Sequence, residues 1–122
     1  MQKEMTSHRV CRLEDIVPNC GVCALVEGEQ VAVFRLDDDR IFALGNRDPF
    51  SGANVLSRGI VGDLKGELVV ASPVYKQHFS LTTGQCVEDP DVRVTLHPVA
   101  VEGGYVVTAL PGSRSEGGTR GP

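Results

Sequence analysis

From Gly21 onward, apolar and polar positions alternate. VCALV, QVAVFRL and RIFALGN carry apolar residues two apart, as at Val31 and Val33 or Ile41 and Ala43. That is the period of strands half buried against a core. The polar runs between them, EGE and DDD, read as turns, so the three form a meander. Further on, ELVVAS, HFSL, VRVTL, PVAV and YVVTAL repeat the pattern, with TTG and EGG as turns. About eight short strands at this spacing predict an all-β antiparallel sandwich or partly open barrel. RLEDI at 12–16, stopped by Val17, Pro18 and Asn19, predicts one short helical turn near the N-terminus. Residues 47–66 are glycine-rich and read as mostly loop.

The length of 122 residues fits one domain. Residues 111–122, PGSRSEGGTRGP, hold no hydrophobic side chain and predict a disordered tail. Residues 1–8 read as a flexible N-terminus, which leaves 9–110 as the folded domain. Valine supplies 18 residues, against 10 leucines and 3 isoleucines, and tryptophan is absent. Such a core suits strands, because β-branched side chains pack well on a pleated surface. The net charge of −4 argues against nucleic acid and anionic membrane as partners. The N-terminus has no signal-peptide pattern, no run is long enough to span a bilayer, and a cytoplasmic location is expected.

Four cysteines are too few for a secreted disulfide scaffold and read as reduced, buried or half-buried thiols. His8, Cys11, Cys20 and Cys23 have the paired spacing of zinc ligands, so a zinc-stabilised binding module is one reading. Against it, Cys23 lies in an apolar alternating run and Cys20-x-x-Cys23 opens a strand rather than a helix. His78 and His97 fall in strand-like text without a neighbouring nucleophile. Asp37, Asp38 and Asp39 carry enough charge for a cation, yet a hairpin turn uses the same residues. No catalytic, cofactor-binding or metal site emerges from these patterns.

Two segments stand out, DPFSGANVLSRG at 48–59 and SPVYKQHFSLTTG at 72–84. They resemble the two cluster-binding loops of Rieske iron–sulfur domains, Cys-Pro-His-x-Gly-Ala and Cys-Pro-x-His. By that resemblance the ligand positions fall on Asp48, Phe50, Ser72 and Tyr75, while Pro49, Gly52, Ala53, Leu56, Ser57, Pro73, Phe79, Thr83 and Gly84 keep the frame. A Rieske centre needs two thiolates on one iron and two imidazoles on the other, and none of the four residues supplies either. The 21 residues between Phe50 and Ser72 exceed the usual Rieske spacing, which an insertion around GIVGDLKG explains.

A Rieske frame without its ligands is similar to the small subunits of the NAD(P)H-dependent assimilatory nitrite reductase, the NirD family. VCALVEGEQVAVFR, NRDPFSGANVLSRGIVGD and ASPVYKQHFSLTTGQCVEDP carry this resemblance over residues 9–110. It implies a Rieske-like fold and a chain that holds no cofactor and is inactive alone. The large subunit is implied as partner, carrying FAD, a 4Fe–4S cluster and sirohaem for the reduction of nitrite to ammonium. Asp48, Pro49, Phe50, Ser72, Pro73 and Tyr75 would meet at one tip, either as a docking surface or as filling for the vacated cluster site. A Rieske-type 2Fe–2S electron-transfer ferredoxin is the alternative, and unpaired strand edges leave room for a homodimer of the isolated chain.

Overall fold

The chain makes its sharpest reversals at Glu27-Gly28, Lys65-Gly66 and Gly103-Gly104. Both residues of each pair have positive φ (49° and 83°, 54° and 90°, 60° and 85°). Two-residue hairpins require this, because such turns match the twist of the strands they join. The computed structural model describes residues 5–111. In chain order its strands are β1 (Met5–Arg12), β2 (Cys20–Val26), β3 (Glu29–Arg35), β4 (Ile41–Gly45) and β5 (Ile60–Leu64). They continue as β6 (Glu67–Ala71), β7 (His78–Ser80), β8 (Leu96–His97), β9 (Val99–Glu102) and β10 (Tyr105–Pro111). The predicted helical turn is a 3₁₀ turn, Leu13–Asp15, and a second one covers Leu56–Arg58.

All pairings between these strands are antiparallel, in three sheets ordered β1-β10-β9, β2-β3-β4-β8 and β5-β6-β7. The four-stranded sheet lies between two cores. On one side Val31, Val33 and Ala43 join Ile16, Val26 and Val106; on the other Ala32, Phe34 and Leu44 join Leu56, Val70, Phe79, Leu81 and Cys86. β3 is therefore buried on both faces, not on one as its alternation suggested, and Val31, Ala32, Val33 and Phe34 are all fully buried. The all-β prediction holds.

Four sequence expectations need correction. Met5–His8 are not a flexible lead but the first half of β1, paired in register with β10. Ile60–Leu64 is not loop but β5, an edge strand whose partner β6 supplies its backbone bonds. VRVTL contributes only Leu96 to a strand, β8, while Arg93 makes an isolated bridge to Gln85. Of the expected tail 111–122, Pro111 instead closes β10, paired with Met5, and residues 112–122, like residues 1–4, lie outside the described residues. Among the described residues no helix is long and apolar enough to cross a membrane.

Candidate functional site

Three loops repeat one hydrogen-bond pattern. Asp48, Ser72 and Ser80 each accept at the backbone oxygen from the residue four ahead: Gly52 at 2.7 Å, Lys76 at 3.1 Å and Gly84 at 2.8 Å. Each donates its own N–H to the residue five ahead: Ala53 at 2.8 Å, Gln77 at 2.9 Å and Gln85 at 2.9 Å. The fourth position is left-handed in all three, with φ of 79° at Gly52, 67° at Lys76 and 80° at Gly84. In each loop the leading side chain accepts the N–H two residues on, from Phe50, Val74 and Thr82 respectively. Asp and Ser serve here because a short side-chain oxygen can fold back on its own turn.

The first two loops meet through these leading residues. The Ser72 hydroxyl donates to Asp48 Oδ2 at 2.5 Å, and both residues are fully buried. Asp48 Oδ1 accepts from the N–H groups of Phe50 at 2.8 Å and Ser51 at 3.4 Å. Burial pushes the Asp48 carboxyl up, but the Ser72 hydroxyl and these two N–H groups outweigh it and hold the group below the usual carboxylate range. The carboxylate is thus a buried charge satisfied by hydrogen bonds.

The four positions singled out by resemblance do different things. Asp48 and Ser72 clasp the loops from inside. Phe50 is half buried against the core, its ring 6.2 Å from that of Phe79. Tyr75 is 60% exposed and Val74 42%, between the exposed Pro73 and Lys76 and on the same surface loop. Phe50 therefore turns inward against the core, and Tyr75 turns outward. A 2Fe–2S centre does not fit this donor set: the only ionisable group turned inward is a carboxylate already engaged by a hydroxyl and two amides, with no thiolate or imidazole at the other three positions.

Asn46 was invisible to pattern reading and fixes the first loop from below. It is buried; its Nδ2 donates to Gln30 Oε1 and to the Asn54 carbonyl, both at 3.0 Å, and its Oδ1 accepts from Ser57 N–H at 2.7 Å. Glu88 was missed for the same reason. Its carboxylate takes the His78 N–H at 2.8 Å and ring Nδ1 at 2.5 Å, which anchors the exit of the second loop. Burial raises the Glu88 carboxyl, but its bonds to His78 outweigh this and hold it below the ordinary value.

The four candidate zinc ligands are not assembled. His8 Nε2 pairs with Glu27 Oε2 at 2.8 Å, and Cys23 Sγ lies 3.6 Å from Gln30 Oε1 and 3.4 Å from Asn46 Nδ2. Among the described residues no three His, Cys, Asp or Glu side chains are grouped to hold a metal ion. All four cysteines are free, and Cys20 and Cys23 are exposed rather than buried as expected. Two of the three carboxylates of the acidic turn pair with arginine, Asp38 with Arg40 and Asp39 with Arg35, each at 2.8 Å. His97 is buried in the wall of a cleft and His78 is half buried beside Glu88.

A family model described as the Rieske-like [2Fe-2S] domain matches residues 7–109. The nitrite reductase (NADH) small subunit of Salmonella typhimurium is 49% identical over 98 residues, 80% of this chain and 91% of that one. The NMR structure of the Escherichia coli protein NirD superposes with a TM-score of 0.81 at 43% identity, covering 87% of this chain and 97% of that one. A nitrite reductase [NAD(P)H] large subunit of Klebsiella oxytoca is 42% identical over 97 residues, which are 80% of this chain and 10% of that one. On this likeness along nearly the whole folded length, the chain belongs to the Rieske-like domain family, among the small subunits of nitrite reductase.

Proposed function

We propose that this chain is the non-catalytic small subunit of a cytoplasmic, assimilatory NAD(P)H-dependent nitrite reductase. It holds no cofactor itself and supports a large subunit that reduces nitrite to ammonium. The observation that carries this reading is the 49% identity with a nitrite reductase small subunit over 91% of that protein. The Klebsiella large subunit, one tenth of which matches this domain, supports close association with a large subunit: a domain of this kind occurs there in the same chain.

The two loops supply the docking surface in this reading. Asp48 and Ser72 lock them together and Phe50 seats the first loop on the core, so that Pro49, Pro73 and Tyr75 stand outward on a rigid base. Exposed proline and aromatic side chains on a fixed backbone lose little entropy on binding and suit an interface centre. The exposed charges of the two loops, Arg47, Arg58 and Lys76, are all positive on a chain of net charge −4.

The test is reconstitution. The purified chain should be colourless, free of stoichiometric iron and acid-labile sulfide, and inactive with nitrite and NADH or NADPH. Added to its large subunit, it should bind and raise nitrite-dependent oxidation of the nicotinamide. Stoichiometric iron and sulfide in the chain alone, or failure to bind the large subunit, would overturn the reading.

A further inference from the structure

A cleft of about 560 Å³ opens beside the first loop, lined by Gly28 of the β2–β3 turn, by Glu29 and Gln30 at the start of β3, by Arg47, Pro49 and Asn54 at the loop, and by Arg93 and Thr95 ahead of β8. We infer that this cleft is a carboxylate-binding site that receives an acidic surface segment of the large subunit. The inference rests on the docking reading above and adds to it the chemistry of a second, polar contact.

Among the described arginines without an ion pair, Arg9 stacks on Tyr105 and Arg58 lies outside the cleft, whereas Arg47 and Arg93 share it. Arg12, Arg35 and Arg40 each close an ion pair, with Glu14, Asp39 and Asp38. Arg47 and Arg93, both exposed, have no acidic partner among the described residues, although acidic residues outnumber basic ones by 16 to 12 in the chain. Guanidinium groups present planar donor forks that match carboxylates, and two in one cleft favour an occupant with more than one acidic group.

The cleft is also held in shape. Arg47 bridges to Asn54 and Arg93 to Gln85 through the backbone. Arg47 Nη2 lies across the first loop, 3.4 Å from where a Cβ on Gly52 would stand. Asn46 ties the cleft floor to Gln30 and to the Asn54 carbonyl. Thr95 is fixed by its carbonyl, which accepts from Gly45 N–H at 2.8 Å. Glu29 is the one carboxylate in the lining. Burial pushes the His97 imidazole below its ordinary pKa while Glu29 pulls it up, and at neutral pH this ring adds no charge to the wall. The balance of Arg47 and Arg93 against Glu29 leaves the cleft positive.

Position supplies the occupant. Pro49 belongs both to the cleft lining and to the exposed tip, so a partner seated on Pro73 and Tyr75 reaches the cleft without crossing other elements. A desolvated guanidinium–carboxylate contact at such an edge governs both affinity and the salt dependence of association.

The test compares binding of the intact large subunit to wild type, to the double variant Arg47→Gln/Arg93→Gln, to each of its single variants, and to Arg40→Gln, which removes one positive charge, as each single variant does, at the opposite end of the β3–β4 hairpin. Dissociation constants are measured at about 0.05 M and about 0.5 M salt. The double variant should bind about tenfold more weakly at low salt and lose most of its salt dependence, and Arg40→Gln should match wild type. Tyr75→Ser should weaken binding while keeping the wild-type salt slope. Wild-type affinity in the double variant, with its amide spectrum intact, would overturn the carboxylate site and leave docking standing. Failure of wild type to bind at all would overturn docking, and the cleft's role with it.

Discussion

Asp48 concentrates the physics of the site in one side chain: a buried charge stable only because a hydroxyl and two amides face it. Its folded pKa is depressed, so its contribution is fully present above the unfolded value of about 3.9 and is lost as pH falls through the folded value. The melting temperature should accordingly drop as the pH is lowered below about 4. Asp48→Asn should cost about 1.5–3 kcal/mol at pH 7 and flatten that acid limb, as thermal melts from pH 3 to pH 7 would show. Lys76 makes a second case. It holds the left-handed position that glycine fills in the other two loops, with φ of 67° and its side chain exposed. Lys76→Gly should stabilise the domain by about 0.5–1 kcal/mol, measured by denaturant midpoint, because the strain removed exceeds the added freedom of the unfolded chain. Asp48, Ser72 and Tyr75 were legible in the sequence as residues standing where a known frame has others. Asn46 and Glu88 were not, since their value lies in partners 8 to 16 positions away that no local pattern announces.

At the level of elements, the two loops share one backbone pattern but divide the work. The first turns its aromatic residue inward, Phe50 against Phe79, and the second turns Tyr75 outward. Serine substitutions should therefore separate stability from recognition. Phe50→Ser should lower stability by about 1–3 kcal/mol, because a half-buried ring loses part of a full core contribution. Tyr75→Ser should stay within about 0.5 kcal/mol of wild type, as exposed sites do, while weakening capture of the large subunit. Equal destabilisation by both, in chemical denaturation, would refute this division. The same contrast explains which strands the sequence revealed. β3 and β10 are written in valine and read directly. β1 is polar, and its order comes from pairing with β10 and from Arg9 and Arg12 stacked 4.2 and 5.2 Å from the Tyr105 ring centre. β5 carries Gly62 and an Ile60 that is 74% exposed, so only its hairpin with β6 marks it as a strand.

At the scale of the whole molecule, the central sheet joins two cores, β4 through Ala43 and Leu44 and β3 through four residues. Val31 and Val33 of β3 face one, Ala32 and Phe34 the other, and neither outer sheet has another route to the opposite core through so many fully buried residues. Read as an alternating sequence, β3 suggested a half-buried strand, because Ala32 and Phe34 could not be assigned a second core before the β5-β6-β7 sheet was known to cover them. Its burial on both faces makes the loop-bearing side and the β1-β10-β9 side depend on the same backbone. Phe34 is fully buried next to the core that seats Phe50, so Phe34→Ala should cost about 3–5 kcal/mol, a large share of the roughly 5–15 kcal/mol that holds a typical domain. If β3 couples the cores, amide signals from β7 and from β10 should disappear at the same denaturant concentration in this variant as in wild type, only earlier. Loss of the β7 signals well before those of β10 would mean that the cores melt separately, and that the two loops rest on a unit the rest of the domain does not stabilise.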